Sequence, residues 1–423
     1  MFTADNVIFG YKFNKLSFTV PTPSLTDNAQ DPDVTGRFFA GNTGFGENIM
    51  NTSINFIFNS TETQKLTISW GDGFFGEIDL IVGPNPIARN EHEYTDKLDE
   101  HTIVFSFEKP KAISAISTLN VNVGDIISED LKKFTGLESL NFGNRSGIQE
   151  FPADLSTLTI VRRLEILDSD IPKIDDSLFS LPLEILSLRN SIDFSTTEAS
   201  DSLERLAEFV FLEDLNFAGT KLTEFPVNFI NRNRLVTLTI GENNEFTTLP
   251  INIPISVSSL NLEGKTPQIT SYENFDRLVN LVTLTLDNTF DNVNLAIGNE
   301  LASCELLKTI NYKRNSISVL ARTNAIVNNL FNFIVTRGYG NITTGGSDKF
   351  RDMTISMVTG ANSNTNNRPS GTYQAPTGFN KNVSNGTPAN ELEKVYCLVE
   401  NYGHTFIVGS ASVNNGTQTF SPS

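Results

Sequence analysis

The sequence predicts a chain of mixed β and α/β class: an antiparallel β-sandwich, then a solenoid of short strands, then an α/β cap. Three observations predict it. Apolar and polar residues alternate in INFIF from Ile54, KLTISW from Lys65 and HTIVFSFE from His101, which is the period of half-buried strands. Eight copies of one short apolar pattern follow at intervals of 22–29 residues, from Leu137 to Leu307. Beyond them, helical spacing alternates with strand-like runs to the end of the chain.

Composition narrows the function. The 423 residues are 39% hydrophobic and 19% charged, enough to bury a core in several domains. Lys plus Arg is 31 against 49 Asp plus Glu, a net charge of −18 that repels phosphate backbones and argues against nucleic-acid binding. Two cysteines, Cys304 and Cys397, make no disulfide framework and no zinc pattern, and both read as small buried hydrophobes. Three histidines leave little material for catalysis: His92 and His101 are too far apart for a metal pair. His404 follows Gly403 at a helix end, where an imidazole can face the helix dipole. No apolar run is long enough to span a membrane. The start, MFTADNVIFGYKFNKLSF, lacks a basic region followed by an apolar one. The expectation is a protein that stays where it is made or leaves by a route that needs no signal.

Residues 1–48 open strand-like (VIFGYKFNKLSFTV) and continue as a Pro/Asp/Gly-rich stretch, read as an N-terminal arm or extra strands. In residues 49–110, KLTISWGDG, NEHEYTD and HTIVFSF, with Trp70, Gly71, Asp72, Gly73, His92 and Tyr94, resemble the polycystic-kidney-disease-type immunoglobulin-like domain. That resemblance implies an N-terminal immunoglobulin-like β-sandwich. GDGFFG fits GxGxxG after a strand, but strand and turn follow it where a dinucleotide site needs a helix, so it reads as a tight turn. Asp72, Glu91, Glu93 and Asp96 lack the spacing of a calcium loop and read as solvated turn carboxylates.

Residues 111–323 carry the repeats. LESLNFGN, VRRLEILDSD, LEILSLRN, LEDLNFAGT, LVTLTIGEN, VSSLNLEG, LVTLTLDN and LKTINYKRN place apolar residues at positions 1, 4 and 6, and ISAISTLNV at Ile113 starts the stack. Asn follows in several copies, as Asn144, Asn190, Asn243, Asn288 and Asn315. Phe151-Pro152, Phe225-Pro226 and Leu249-Pro250 end a second apolar step. The pattern resembles the leucine-rich repeat, LxxLxLxxNxL, and its Pro endings resemble the shorter bacterial type. The LxL step is a strand whose alternate residues, such as Leu140 with Phe142 and Leu284 with Leu286, point inward. Asn can bond backbone where the chain turns, and Pro discourages a long outer helix. One repeat cannot bury its own face, but stacked neighbours can.

Residues 324–423 read as an α/β capping module. NAIVNNLFNFIVTRG places Ile326, Leu330, Phe333 and Ile334 on one helix side, with Gly338 as a stop. MTISMVTG reads as a strand, and ANELEKVYCLVENYGHTFIV as a helix ended by Gly403 and then a strand. Between them, SNTNNRPSGTYQAPTGFNKNVSNGTP reads as loop. SGTYQAPTGF, GTPANELEKVY and NYGHTF resemble a C-terminal module of Bacteroidota leucine-rich-repeat proteins and of virion proteins of their phages.

The strand face of the repeats is the candidate binding surface. Its outward positions are Ser139, Asn141, Arg163, Glu165, Ile185, Ser187, Asp214, Asn216, Thr237, Thr239, Ser259, Asn261, Thr283, Thr285, Thr309 and Asn311. They are mostly small and polar, without the aromatic anchors that dominate protein interfaces, and a solvated sheet face reads equally well. The sequence holds no catalytic constellation and calls for no cofactor or metal, so the expectation is a non-enzyme. The resemblances imply a structural or interaction protein of a phage virion, such as a tail, baseplate, fibre or capsid-surface component. It would assemble in the host cytoplasm into a homo- or hetero-oligomeric particle and meet other virion proteins and a host surface protein or glycan. The alternative is a bacterial cell-surface or secreted adhesin for protein or glycan.

Overall fold

The structure is a computed structural model that describes residues 14–21, 55–87, 100–119, 131–143, 148, 155–241, 245–262, 271, 273–286, 300–312, 320–336, 350–359, 368–410 and 417–422. It divides into two compact units, Met1–Asp214 and Leu215–Ser423.

The first unit opens with two antiparallel sheets. One holds β1 (Asn14–Pro21), β3 (Gln64–Ser69), β4 (Phe75–Leu80) and β6 (Glu100–Phe107), in the order β1-β6-β3-β4. The other joins β2 (Asn55–Ser60) to β5 (Gly83–Ile87) on one side and to β7 (Ile113–Leu119) on the other. Alternation in NFIFNS and EHTIVFSF puts Phe56 and Phe58 of one sheet against Phe105 and Phe107 of the other. Ring centroids are 4.7 Å apart for Phe56–Phe105 and 4.9 Å for Phe58–Phe107, both edge-on and fully buried. β1 extends the four-stranded sheet by pairing along β6 from Asn14↔Phe107 to Pro21↔Glu100. GDGFFG is the β3–β4 hairpin turn: Trp70 N–H donates to Phe74 O at 3.1 Å and Phe74 N–H to Asp72 Oδ1 at 3.1 Å. Glu91, His92, Glu93, Tyr94 and Asp96 lie outside the described residues.

β7 belongs to two arrangements at once. It runs antiparallel to β2 and parallel to β8 (Ser139–Phe142), so the first repeat strand also closes the N-terminal sheet. β9 (Arg163–Ile166) and β10 (Ile185–Ser187) continue the parallel ladder. Register puts Ile116, Leu140, Leu164 and Leu186 in one row, each 0–1% exposed. At the far edge, Pro84 and Pro86 of β5 sit opposite Asn59 and Ile57. Proline fits a ladder only where its missing N–H faces away from the partner strand. Asn85 between them ties the preceding turn, accepting from Ile81 N–H at 2.8 Å and donating to Ile81 O and Gly83 O at 2.8 Å.

The second unit has a parallel ladder of its own. After β11 (Asp214–Asn216), which straddles the division, come β12 (Thr237–Thr239), β13 (Ser259–Asn261), β14 (Thr283–Leu286), β15 (Thr309–Tyr312) and β16 (Thr354–Thr359). The C-terminal strands are β17 (Thr377–Asn380), β18 (Ser384–Thr387), β19 (Thr405–Ser410) and β20 (Thr417–Phe420). Parallel pairing from β12 through β16 to β19 aligns Leu238, Leu260, Leu284, Ile310, Ile355 and Phe406, each at most 2% exposed. This is a leucine-rich-repeat-like fold: a long parallel sheet, short outer turns and few helices.

The outer side is mostly 3-10 turns. Phe225 and Pro226 are buried, as are Leu249 and Pro250, where the sequence places Pro-terminated apolar steps; Phe151 and Pro152 lie outside the described residues. Successive turns are tied by amides: Asn252 donates to Phe225 O at 2.8 Å, Asn274 to Leu249 O at 2.7 Å and Asn280 to Ile255 O at 2.9 Å. Of the motif asparagines, Asn190 is described. Its backbone is left-handed (φ 52°), as is that of Asp168 one repeat earlier, and its amide donates to Asp168 Oδ1 at 2.9 Å instead of to backbone. Asn144, Asn243, Asn288 and Asn315 lie outside the described residues.

The helices are α1 (Thr197–Leu203) in the first unit and α2 (Leu320–Phe331) and α3 (Glu391–Tyr402) in the second. α2 continues as a π turn, Asn332–Thr336, and buries Val327, Leu330, Phe333 and Ile334, while Ile326 is only half-buried. α3 starts at Asn390, whose side chain accepts from Glu393 N–H, and stops at Gly403 (φ 75°). The stretch read as loop before α3 contains the β17–β18 hairpin, a departure from expectation. Its strands TGFN and SNGT are polar and mostly exposed, so they carry no apolar alternation. Side chains of α3 hold them instead: Asn401 donates to Asn385 Oδ1 at 2.8 Å and Asn385 to Tyr402 Oη at 2.9 Å.

Candidate binding face of the repeats

In-register pairing turns the outward positions into rows. In the first unit these are Ser139–Arg163–Ile185 and Asn141–Glu165–Ser187. In the second they are Thr237–Ser259–Thr283–Thr309–Thr354–Thr405 and Thr239–Asn261–Thr285–Asn311–Ser356–Ile407. Thr354, Ser356, Thr405 and Ile407 were not among the expected residues. Thr-Ile-Ser and Thr-Phe-Ile repeat the polar–apolar step without its upstream leucine, and that step was the available signal.

Parallel strands lie about 4.8 Å apart, so neighbours in a row shade one another. Most of these side chains are half-buried, and Arg163 is exposed. Two are corrected. Ser187 is 4% exposed and Thr285 7%, so neither presents itself to a partner. Both are short beside longer neighbours: Ser187 is in register with Glu165, and Asn311 donates across to Thr285 Oγ1 at 3.4 Å. Asn216 is half-buried, and its Oδ1 accepts from Ala218 N–H at 3.1 Å, which commits it to its own turn.

The chemistry of the face is uneven. In the second unit it is hydroxyl and amide groups, with Ile407 the exception at the end of its row. In the first, Arg163 lies against Glu165 through two parallel hydrogen bonds of 3.1 and 3.0 Å, and Asn141 Nδ2 donates to the same carboxylate. Asn141 Oδ1 is buried and has no hydrogen-bond partner. Asp214 completes the group: desolvation raises its carboxyl above the usual range, Arg163 opposes the shift and Glu165 adds to it.

The remaining titratable candidates are structural. His404 follows the end of α3, as the sequence places it, and is a core residue. The ring is fully buried, Nδ1 accepts from Met353 N–H at 3.1 Å, and burial, with Lys308 and Arg351 nearby, pushes its pKa down to about 3. The thiols of Cys304 and Cys397 are buried, donate to Phe275 O and Asn385 O, and are pushed up to about 12 by desolvation. Among the described residues no three His, Cys, Asp or Glu side chains gather to hold a metal ion, and no helix is long and apolar enough to cross a membrane.

No protein-family model and no curated protein sequence matches the chain. Solved structures similar to it include an internalin of Listeria monocytogenes, at 20% identity over 51% of this chain and 59% of that one, with a TM-score of 0.37. A leucine-rich-repeat protein of Leptospira interrogans has 19% identity over 48% and 55%, with a TM-score of 0.33. The functional domain of a second Listeria monocytogenes internalin has 16% identity over 54% of each chain, with a TM-score of 0.31. The chain spans little more than half the length of these proteins.

Proposed function

We propose that this chain is a non-enzymatic interaction scaffold that engages a partner through the strand face of its repeats. The group Asn141, Arg163, Glu165 and Asp214 supports the reading. A buried acceptor without a partner and a carboxylate held against desolvation both cost stability, and such costs are retained where a ligand uses the groups. The setting we propose is a virion surface, to which the C-terminal resemblance points. There the facing N-terminal sheets would act as an immunoglobulin-like docking domain, and the repeats would meet other virion proteins or the host surface. A cell-surface or secreted adhesin is the second setting. The hydroxyl rows of the second unit favour it, because they match the donors and acceptors of a neutral sugar.

Two measurements test this. Mass spectrometry of purified particles, and of the envelope and medium fractions of the source, separates the settings: co-purification with capsid proteins supports the virion, and recovery without them supports the adhesin. Full-length chain carrying Asn141→Ala with Asp214→Asn is then compared for binding to the isolated particle or cell. Loss of binding at a melting temperature equal to or above the parent's is expected, because the two removed groups cost stability. Unchanged binding would remove the strand face from the proposal.

A further inference from the structure

We infer that the C-terminal module of the second unit carries a binding site separate from the strand face: an aromatic platform that takes a neutral hexose oligosaccharide. Its rings are Tyr373, in the loop before β17, Phe379 of β17 and Tyr396 of α3, all half-buried. Tyr396 packs against both others, with centroids 5.1 Å from each, at 57° to Tyr373 and 79° to Phe379. Against Tyr373 lies Phe420 of β20, 6% exposed, its ring stacked at 4.4 Å and 28°. Three separate segments thus bring half-buried rings together on a buried fourth.

The hairpin that presents Phe379 has no core of its own. A two-stranded sheet is marginal by itself, and both of these strands are polar and mostly exposed. α3 fixes it with buried polar groups. Asn401 Oδ1 accepts from Asn382 N–H at 2.9 Å, Asn401 Nδ2 donates to Ser384 O at 3.3 Å, and Cys397 Sγ donates to Asn385 O at 3.3 Å. Gly386, on a left-handed backbone of φ 64°, lets β18 close on β17, where a Cβ would stand 2.5 Å from Thr377 O. Buried polar bonds and unusual backbone are retained where a site needs its parts held in place. Phe379 is the one aromatic residue of the two strands, and this anchoring sets its angle to Tyr396.

The side chains specify a neutral, hydroxylated ligand. The hydroxyls of Tyr373 and Tyr396 have no hydrogen-bond partner among the described residues, so phenylalanine would pack as well at both positions. Burial, with Glu400 and Tyr396 adding to it, pushes the Tyr373 hydroxyl up to about 12, so it stays a neutral donor. Lys381 and Glu400 pair at 2.8 Å, and their charges cancel. Aromatic faces are electron-rich and attract the C–H groups on one face of a hexose, while the sugar hydroxyls stay at the rim. Exposed Thr372, Thr377 and Asn380, beside the rings in sequence, offer donors and acceptors there. A protein anchor needs a fully desolvated pocket, whereas these rings stay partly in water. A polyanion is repelled by a chain of net charge −18.

Isothermal titration of the full chain with three neutral sugars, the β-1,4-linked hexaoses of glucose, galactose and mannose, is the test. The expected result is binding of at least one, little changed between about 0.01 and 0.15 M salt. Phe379→Ala should weaken it about fivefold or more. Because a lost ring can also loosen the hairpin, Tyr373→Phe with Tyr396→Phe is the second variant. It removes only two hydroxyls that bond no described protein group, so affinity should fall about fivefold at an unchanged melting temperature. Thr237→Arg with Thr283→Arg, on the strand face, should leave sugar binding intact, which keeps this result distinct from failure of the strand-face reading. No binding of any of the three sugars, binding that survives both sets of aromatic changes, or loss through the strand-face change alone would each overturn the inference.

Discussion

Leu284 shows what a single inward residue contributes. It is fully buried, between Leu260 and Ile310 in the ladder. Leu284→Ala should cost about 2–5 kcal/mol, because the stacked repeats on either side cannot collapse into the space. A urea melt checks it, and a loss near zero would contradict the inward position. His404 gives a pH-dependent term of known sign. Its folded pKa, about 3, lies below the ordinary value of 6.5, so the unfolded chain binds the proton first. The contribution is therefore whole above pH 6.5 and is lost as pH falls toward 3, at up to about 1.4 kcal/mol per pH unit. Urea melts between pH 7 and 4 should show a shallower decline for His404→Gln than for the parent. Parallel declines would mean that the ring is not held neutral.

At the scale of elements, α3 depends on its terminus. A Cβ at Gly403 would stand 2.1 Å from Asp352 Oδ1, on a backbone of φ 75°. Gly403→Ala should destabilise by about 1 kcal/mol or more, read as a lower denaturant midpoint, and an unchanged midpoint would refute the cap. How legible an element was depended on what holds it. The repeat strands could be read because their apolar step recurs in every copy. α3 could be read because Val395, Leu398 and Val399 keep helical spacing between Asn390 and Gly403. The β17–β18 hairpin could not, because Asn385, Asn401 and Tyr402 hold it through polar bonds that leave no pattern in sequence. The binding face was legible as positions but not as exposure: nothing local marks Ser187 and Thr285 as buried.

The whole molecule carries its charge unevenly. From Gly338 onward five Lys/Arg balance five Asp/Glu, so the net −18 falls within residues 1–337. Self-repulsion on that scale works against folding, and exposed ion pairs such as Lys65–Glu77 at 3.2 Å offset little of it. Raising ionic strength from about 0.01 to 0.15 M shortens the screening length from about 30 to 8 Å. The melting temperature should therefore rise. A melting temperature that falls with salt would mean that the ion pairs dominate. The prolines of β5 bear on a different hazard. Pro84 and Pro86 leave the rim of that sheet without hydrogen-bond donors at two of its five residues. A strand from another molecule finds little there to zip onto, so copies crowded at high local concentration, whether by a particle or by a cell surface, are protected along that rim from polymerising into fibrils.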